Sequence, residues 1–179
     1  MGLRSGLVLV LAMVAGQASS APTPRTFDAV DLGAYAGTYY EIARVPNRFQ
    51  KPCSGDVTAT YVLRTDGRVE VINRCRTEGG TTEVRGIAKR AGKGRSNARL
   101  KVRFAPAILS LLPRVWGDYW ILGVGPDYSY AVVGDPSRTN LWILARTPVM
   151  PDISYRQALA IAASNGYDTS RLVKTTHQR

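Results

Sequence analysis

The chain is poor in the residues that do most protein chemistry. One histidine, His177, stands in 179 residues, beside two cysteines, Cys53 and Cys75. A lone histidine near the end of the chain leaves little for general acid–base work. A closed zinc site wants four ligands, and this spacing does not supply them. No Gly-x-Ser-x-Gly elbow and no phosphate-cradling glycine loop occurs. No catalytic residue, no metal and no cofactor is therefore expected. Acidic residues are also scarce, 13 against 24 Lys plus Arg, for a net charge of +11. Such a surface favours anionic partners such as acidic lipid headgroups, or is simply well solvated. No run of five Lys or Arg occurs, and the densest basic stretch, 89–95, is a glycine-rich tip with no nucleic-acid motif beside it. Nucleic acid is not an expected partner. There is no internal repeat.

What is present begins with a targeting pattern. Arg4 precedes an apolar run over 7–15, followed by the small residues Gly16, Ala18, Ser19, Ser20 and Ala21. This reads as a secretory signal peptide over 1–21, cleaved after Ala18 or Ala21, and too short to span a bilayer. Residues 22–30, with Pro22 and Pro24, read as a flexible lead-in, and 31–179 as one domain. Export implies a periplasmic or secreted protein. No cysteine lies near the cleavage region, so no lipid anchor is expected. In an exported chain the pair Cys53 and Cys75 reads as a disulfide. Two free thiols, or half of a metal site, are the alternatives.

From residue 37 to 146 the chain alternates short β-patterned segments with turn signals. Segments 37–45, 57–64, 68–75, 83–90, 99–104, 118–124, 128–134 and 140–146 make eight strands in sequence. Asp66-Gly67 reads as a two-residue hairpin, which sets Thr58 opposite Cys75. With no helix between strands, the pattern is an antiparallel meander, in a sandwich or an up-and-down barrel. A helix follows, with Ser154 and Gln157 as a capping box and Asn165-Gly166 at its end. Residues 171–175 suit a short last strand.

The phase of the alternation selects an interior. Val57, Ala59 and Tyr61, then Val69, Val71 and Asn73, then Leu100, Val102 and Phe104 share one face. Tyr119 and Tyr130 are placed with them. Phenol and amide groups among apolar walls either satisfy one another or orient a ligand.

Three motifs then carry a resemblance. Gly37-Thr38-Tyr39-Tyr40-Glu41-Ile42-Ala43-Arg44, with Pro46-Asn47 and Phe49, resembles the first-strand signature of the lipocalins, in the branch of bacterial lipocalins and apolipoprotein D. Asp127-Tyr128 with Tyr130-Ala131-Val132-Val133-Gly134, and Leu141-Trp142-Ile143-Leu144-Ala145-Arg146-Thr147-Pro148, resemble two further motifs of that branch in the same order. The resemblance implies an all-β fold: an eight-stranded antiparallel up-and-down barrel with one C-terminal helix packed outside. It implies that a fatty acid, lysophospholipid or similar lipid binds in the barrel, with no catalysis. A lipocalin-fold enzyme is the alternative. It assigns Gly37, Tyr39 and Arg146 structural roles at the closed end, with Tyr39 where the family carries Trp. It places Trp142 in the pocket. Glu41 shares the phase of Tyr39 and meets either an arginine or a ligand. The expected lining is Glu41, Ala59, Tyr61, Val71, Asn73, Phe104, Tyr119, Tyr130 and Trp142.

The segment 105–116 is unusually apolar for a loop. Ile108, Leu109, Leu111 and Leu112 suit a pocket cap, a homodimer contact, a loop folded on its own barrel, or membrane contact at the mouth. Membrane contact at the mouth is the expectation.

Overall fold

The structure is a computed structural model that describes residues 22–92, 96–105, 108–109, 112 and 115–178. The proposed signal segment, 1–21, lies outside them. Among the described residues nine strands form one sheet: β1 (Gly37–Arg44), β2 (Gly55–Leu63), β3 (Val69–Thr77), β4 (Gly80–Arg90), β5 (Arg99–Arg103), β6 (Gly117–Val124), β7 (Tyr130–Gly134), β8 (Leu141–Ala145) and β9 (Val173–Lys174). Each of β1 to β8 pairs antiparallel with its sequence neighbour, and β8 pairs back onto β1, so eight strands close into a barrel. The sandwich alternative is thereby removed. Closure gives each of the eight strands a neighbour on both sides, although 80–86 of β4 extends past β5.

Alternation along the strands divides the apolar residues between two cores. One fills the barrel, with Tyr39, Tyr61, Val69, Val71, Leu100, Ile121, Val133 and Leu144. The other lies between the outer wall and helix α2 (Asp152–Ser164), with Trp120, Leu122, Val132, Leu141, Ile143, Ala158 and Ala162. The helix starts two residues before the expected capping box. Pro151 precedes it without a side-chain cap, and Ser154 lies inside its first turn. It ends as expected, where Gly166 takes φ +77°.

The first hairpin corrects the expected register. Arg64 N donates to Arg68 O at 2.8 Å, and Gly67 sits at φ +75°. The turn therefore holds three residues, the last left-handed, rather than two. The register moves by one, and Thr58 faces Arg74 instead of Cys75.

Residues 22–30 pack on the barrel. Pro24 and Val30 are buried, Phe27 N donates to Ile121 O at 2.9 Å, and Asn97 Nδ2 donates to Val30 O. The segment is held against the barrel. It runs into a short helix, α1 (Leu32–Tyr35), whose N-cap Asp31 accepts from Gly33 N and Ala34 N. The last residues of β2, β4 and β6 and the first of β3, β5 and β7 share one end with α1, the closed end. The last residues of β1, β3, β5 and β7 and the first of β2, β4, β6 and β8 share the other, the mouth.

Near the mouth β1 and β2 part. Their ladder runs from Gly37↔Tyr61 to Tyr40↔Thr58. Beyond it the C-terminal segment lies between them. β9 pairs with Ala43 and Arg44, Thr175 N donates to Ile42 O, and Asp56 N donates to Thr176 O.

Candidate ligand-binding site

The barrel interior changes character from one end to the other. Near the closed end the inward side chains Tyr39, Tyr61, Val69, Val71, Ala88 and Leu100 are buried, as are Ile121 and Val133 farther up the wall. Toward the mouth the inward Ala59, Asn73, Val102, Tyr119 and Trp142 are only half-buried. Val84, opposite Asn73, keeps 51% of its surface exposed and Phe104 keeps 44%. These inward side chains keep exposed surface toward the mouth, where 80–86 of β4 runs past its pairing with β5. Among the described residues the Asn73 amide has no hydrogen-bond partner, and on the inner face it lies between Ala59 and Val84.

The floor is built from tyrosines. Tyr35 comes from α1, Tyr39 from β1, Tyr61 from β2 and Tyr119 from β6, with ring centroids 5.1–6.0 Å apart along the series. The Tyr119 hydroxyl lies 2.8 Å from that of Tyr35 and 2.7 Å from that of Tyr61. Burial pushes the acidity constants of Tyr35, Tyr61 and Tyr119 well up, and that of Tyr39 up to about 12. These hydroxyls are donors that resist becoming anions. The Tyr39 hydroxyl is buried without a partner.

Arg146 seals the end beneath them. Its guanidinium sits 3.8 Å from the Tyr39 ring centroid. It donates to the carbonyls of Ala34, Tyr35, Ala36 and Thr38 at 2.8–3.3 Å. Gly37, at φ +101°, leaves it room: a Cβ there would lie 3.0 Å from Arg146 Nη1.

At the mouth, Glu41 is 2% exposed and faces inward. Its oxygens accept from Arg44 Nη1 at 2.7 Å, Thr175 Oγ1 at 2.6 Å and Gln50 Nε2 at 2.6 Å. Gln50 Oε1 accepts from Trp142 Nε1 at 3.0 Å and from Asn47 Nδ2 at 2.7 Å. Glu41 thus meets an arginine and neutral donors. Trp142 is held by its nitrogen while its ring stays on the inner wall.

Glu41, Ala59, Tyr61, Val71, Asn73, Tyr119 and Trp142 all face the interior. Phe104 does so only at the rim, with its ring across Gly86. Tyr130 does not: it faces outward beneath α2, its hydroxyl 3.5 Å from Gln157 Oε1. Both faces of β7 are buried, so its phase leaves no alternation to read. Tyr35 was missed because it precedes the first strand, in a segment without two-residue periodicity. Cys53 and Cys75 are bridged, 22 residues apart, tying the 45–54 connection to β3. In the apolar mouth loop Ile108 is 86% exposed, and Leu109 and Leu112 are also exposed. Leu111 lies outside the described residues. Among the described residues no group of three metal-ligating side chains occurs, and no helix is long and apolar enough to cross a membrane.

A closed eight-stranded barrel with a sealed floor, an open mouth and an external helix is the architecture of a container for one small hydrophobic molecule. The chain belongs to the lipocalin family, in the branch of bacterial lipocalins and apolipoprotein D. The model of a lipocalin-like domain matches residues 30–177. Temperature-induced lipocalin-1 of Arabidopsis thaliana is 44% identical over 147 residues, 82% of this chain and 78% of that protein. The outer membrane lipoprotein Blc of Escherichia coli K12 is 34% identical over 160 residues, 87% of this chain and 86% of that protein. Insecticyanin of the tobacco hornworm Manduca sexta shares the fold with a TM-score of 0.68 at 19% identity, over 89% of this chain and 87% of that one.

Proposed function

We propose that the protein binds and stores or carries a small lipid, a fatty acid, lysophospholipid or similar molecule, in the cell envelope. The observation that carries this reading is the gradient inside the barrel. Inward apolar side chains stay accessible from Ala59 up to Phe104, above a floor where Tyr39 and Tyr61 are buried. Apolar walls with a few placed polar groups, here Asn73, Tyr119 and the Trp142 side chain, describe a pocket that takes a hydrophobic ligand in one orientation. The relatives named as outer membrane lipoproteins support the envelope as its location. Native mass spectrometry of freshly purified protein, with tryptophan fluorescence titration by fatty acid and lysophospholipid, tests the reading. A co-purified lipid or saturable quenching is expected. A clean unliganded mass with no response to either lipid would overturn it.

The mouth adds a place of delivery. Ile108, Leu109 and Leu112 are exposed at the mouth, as is Phe49, whose ring carries Arg48 at 4.9 Å. Exposed apolar side chains among cations suit the surface of an anionic bilayer. Flotation with anionic liposomes should recover the wild type and lose the Leu109→Asp, Leu112→Asp double variant. Equal flotation of both would remove membrane contact from the proposal.

A further inference from the structure

β4 is longer than one of its neighbours. It runs against β3 in one unbroken register from Gly80 to Ala88, but against β5 only from Ile87 to Arg90. Among the described residues no strand lies beside 81–86 on that side. Gly80 to Arg85 are all exposed, and a Cβ built on Gly80 would meet nothing within 4 Å. The ring of Phe104 and the carbonyl of Arg103 lie against Gly86, where the cover ends. Alternate residues turn their main chain to alternate sides of a strand. Ala91 N donates to Arg99 O on the β5 side, while Gly80 O accepts from the Thr77 hydroxyl on the β3 side. The odd residues Thr81, Glu83 and Arg85 therefore aim N–H and C=O at the bare edge. Such an edge is a template for another strand.

We propose that this edge pairs antiparallel with the same edge of a second copy of the chain, about a two-fold axis through Val84. The main chain and the charges select this register. Only odd residues offer main-chain groups, so odd must face odd and the axis passes through a residue. Centred on Val84, the pairing sets Glu83 of each copy opposite Arg85 of the other. Centred on Glu83 or on Arg85, it would set like charges face to face. Centred on Thr82, it would leave both without an opposite charge. At the axis Val84, 51% exposed, meets Val84 of the other copy in a pair without main-chain bonds, where side chains come closest. Charge on an edge ordinarily repels a second strand. Here opposite signs two residues apart make the edge complementary to itself. Glu83 already accepts from Arg74 and Arg85, and Arg85 donates to Glu70, so the pairing extends an ion network on the outer face. The contact is isologous and closes as a dimer. It is short, because Ile87 is taken by β5, and the dimer is of the weak, concentration-dependent kind.

Sedimentation velocity over a concentration series tests this. Wild type should pass from monomer to dimer as concentration rises. Glu83→Arg sets cations opposite each other across the axis, and Arg85→Glu sets anions opposite each other. Each variant alone should dimerise roughly ten-fold more weakly than wild type. An equimolar mixture of the two should recover the dimer, because each then faces the opposite charge, and recovery also shows that both fold. Val84→Cys should form a disulfide between copies on mild oxidation. Thr82→Cys should not, since its two copies lie roughly 13 Å apart across the axis. The proposal is overturned if wild type stays monomeric at every concentration, if either charge variant dimerises as well as wild type, or if the mixture stays monomeric. It is overturned equally if Thr82→Cys cross-links and Val84→Cys does not. A dimer lost in the Leu109→Asp, Leu112→Asp variant and kept in both charge variants overturns it too, by placing the contact on the mouth loop. None of these outcomes bears on the container reading.

Discussion

Arg44 donates to Glu41 across 2.7 Å although the two are three residues apart on one strand. In a regular strand such residues point to opposite faces. The register of β1 against β8 slips between Glu41 and Ala43, so Ile42 and Ala43 both face α2 while Glu41 and Arg44 both face inward. The bulge makes the ion pair possible. Removing one partner strands the other charge. Arg44→Met should cost about 3 kcal/mol, a fall in Tm of roughly 6–12 °C for a domain of this size. Glu41→Leu combined with Arg44→Met should cost less than the two changes summed. Thermal melting by circular dichroism checks this, and an Arg44→Met midpoint equal to wild type would refute it.

At the closed end, Arg146 joins four carbonyls around α1 and the Tyr39 ring. Arg146→Met should cost about 3 kcal/mol, because it leaves acceptors unpaired and removes a cation from an aromatic face. Arg146→Lys should recover little, since one ammonium cannot reproduce the planar fork. Tyr39→Phe keeps the ring and deletes a buried hydroxyl without a partner. Its Tm should equal or exceed that of wild type, and a marked loss would mean the hydroxyl is satisfied in solution.

Much of this was legible in the chain. Alternation in 57–63, 69–73 and 100–104 placed Ala59, Tyr61, Val71 and Asn73 on one face, because each of those strands has one face to water. Where both faces are buried the signal vanished, and Tyr130 was put on the wrong side. Where a glycine turn holds one more residue than its motif suggests, the register moved and Thr58 lost Cys75. The bulge that pairs Glu41 with Arg44 has no compositional mark. Nor has the docking of the C-terminal segment, whose contacts join residues more than a hundred positions apart.

The Cys53–Cys75 bridge closes a separation of 22 residues. Restricting the unfolded chain by such a loop contributes about 3 kcal/mol. The Cys53→Ala, Cys75→Ala variant should therefore unfold at lower denaturant. It should also show faster amide exchange across 45–54, which the bridge ties to β3. Unchanged exchange there would show that the bond from Ser54 N to Arg76 O suffices to hold the mouth loop.

Acidification should release the C-terminal segment before the barrel melts. The Arg76 guanidinium, with help from Gln178 N, holds the Asp56 carboxyl below the usual carboxylate range. Arg76 Nε donates to Asp56 Oδ2 at 2.7 Å and Gln178 N donates to Asp56 Oδ1 at 2.6 Å. A folded-state value depressed in this way contributes stability above the unfolded-state value, about 3.9 for Asp. That contribution fades as pH falls below about 4 and is gone once the folded-state value is passed. Beyond Thr175, the bonds from Asp56 N to Thr176 O and from His177 Nε2 to Glu41 O then remain. Amide exchange at 174–178 should quicken below that pH while β6 and β7 stay protected. Asp56→Asn keeps an acceptor oxygen and tolerates the backbone at φ +50°, but it removes the charge. It should show the fast exchange already at neutral pH. Slow exchange at 174–178 in Asp56→Asn would mean that the ladder of β9 against β1, and not the Asp56 carboxylate, holds the segment in the wall.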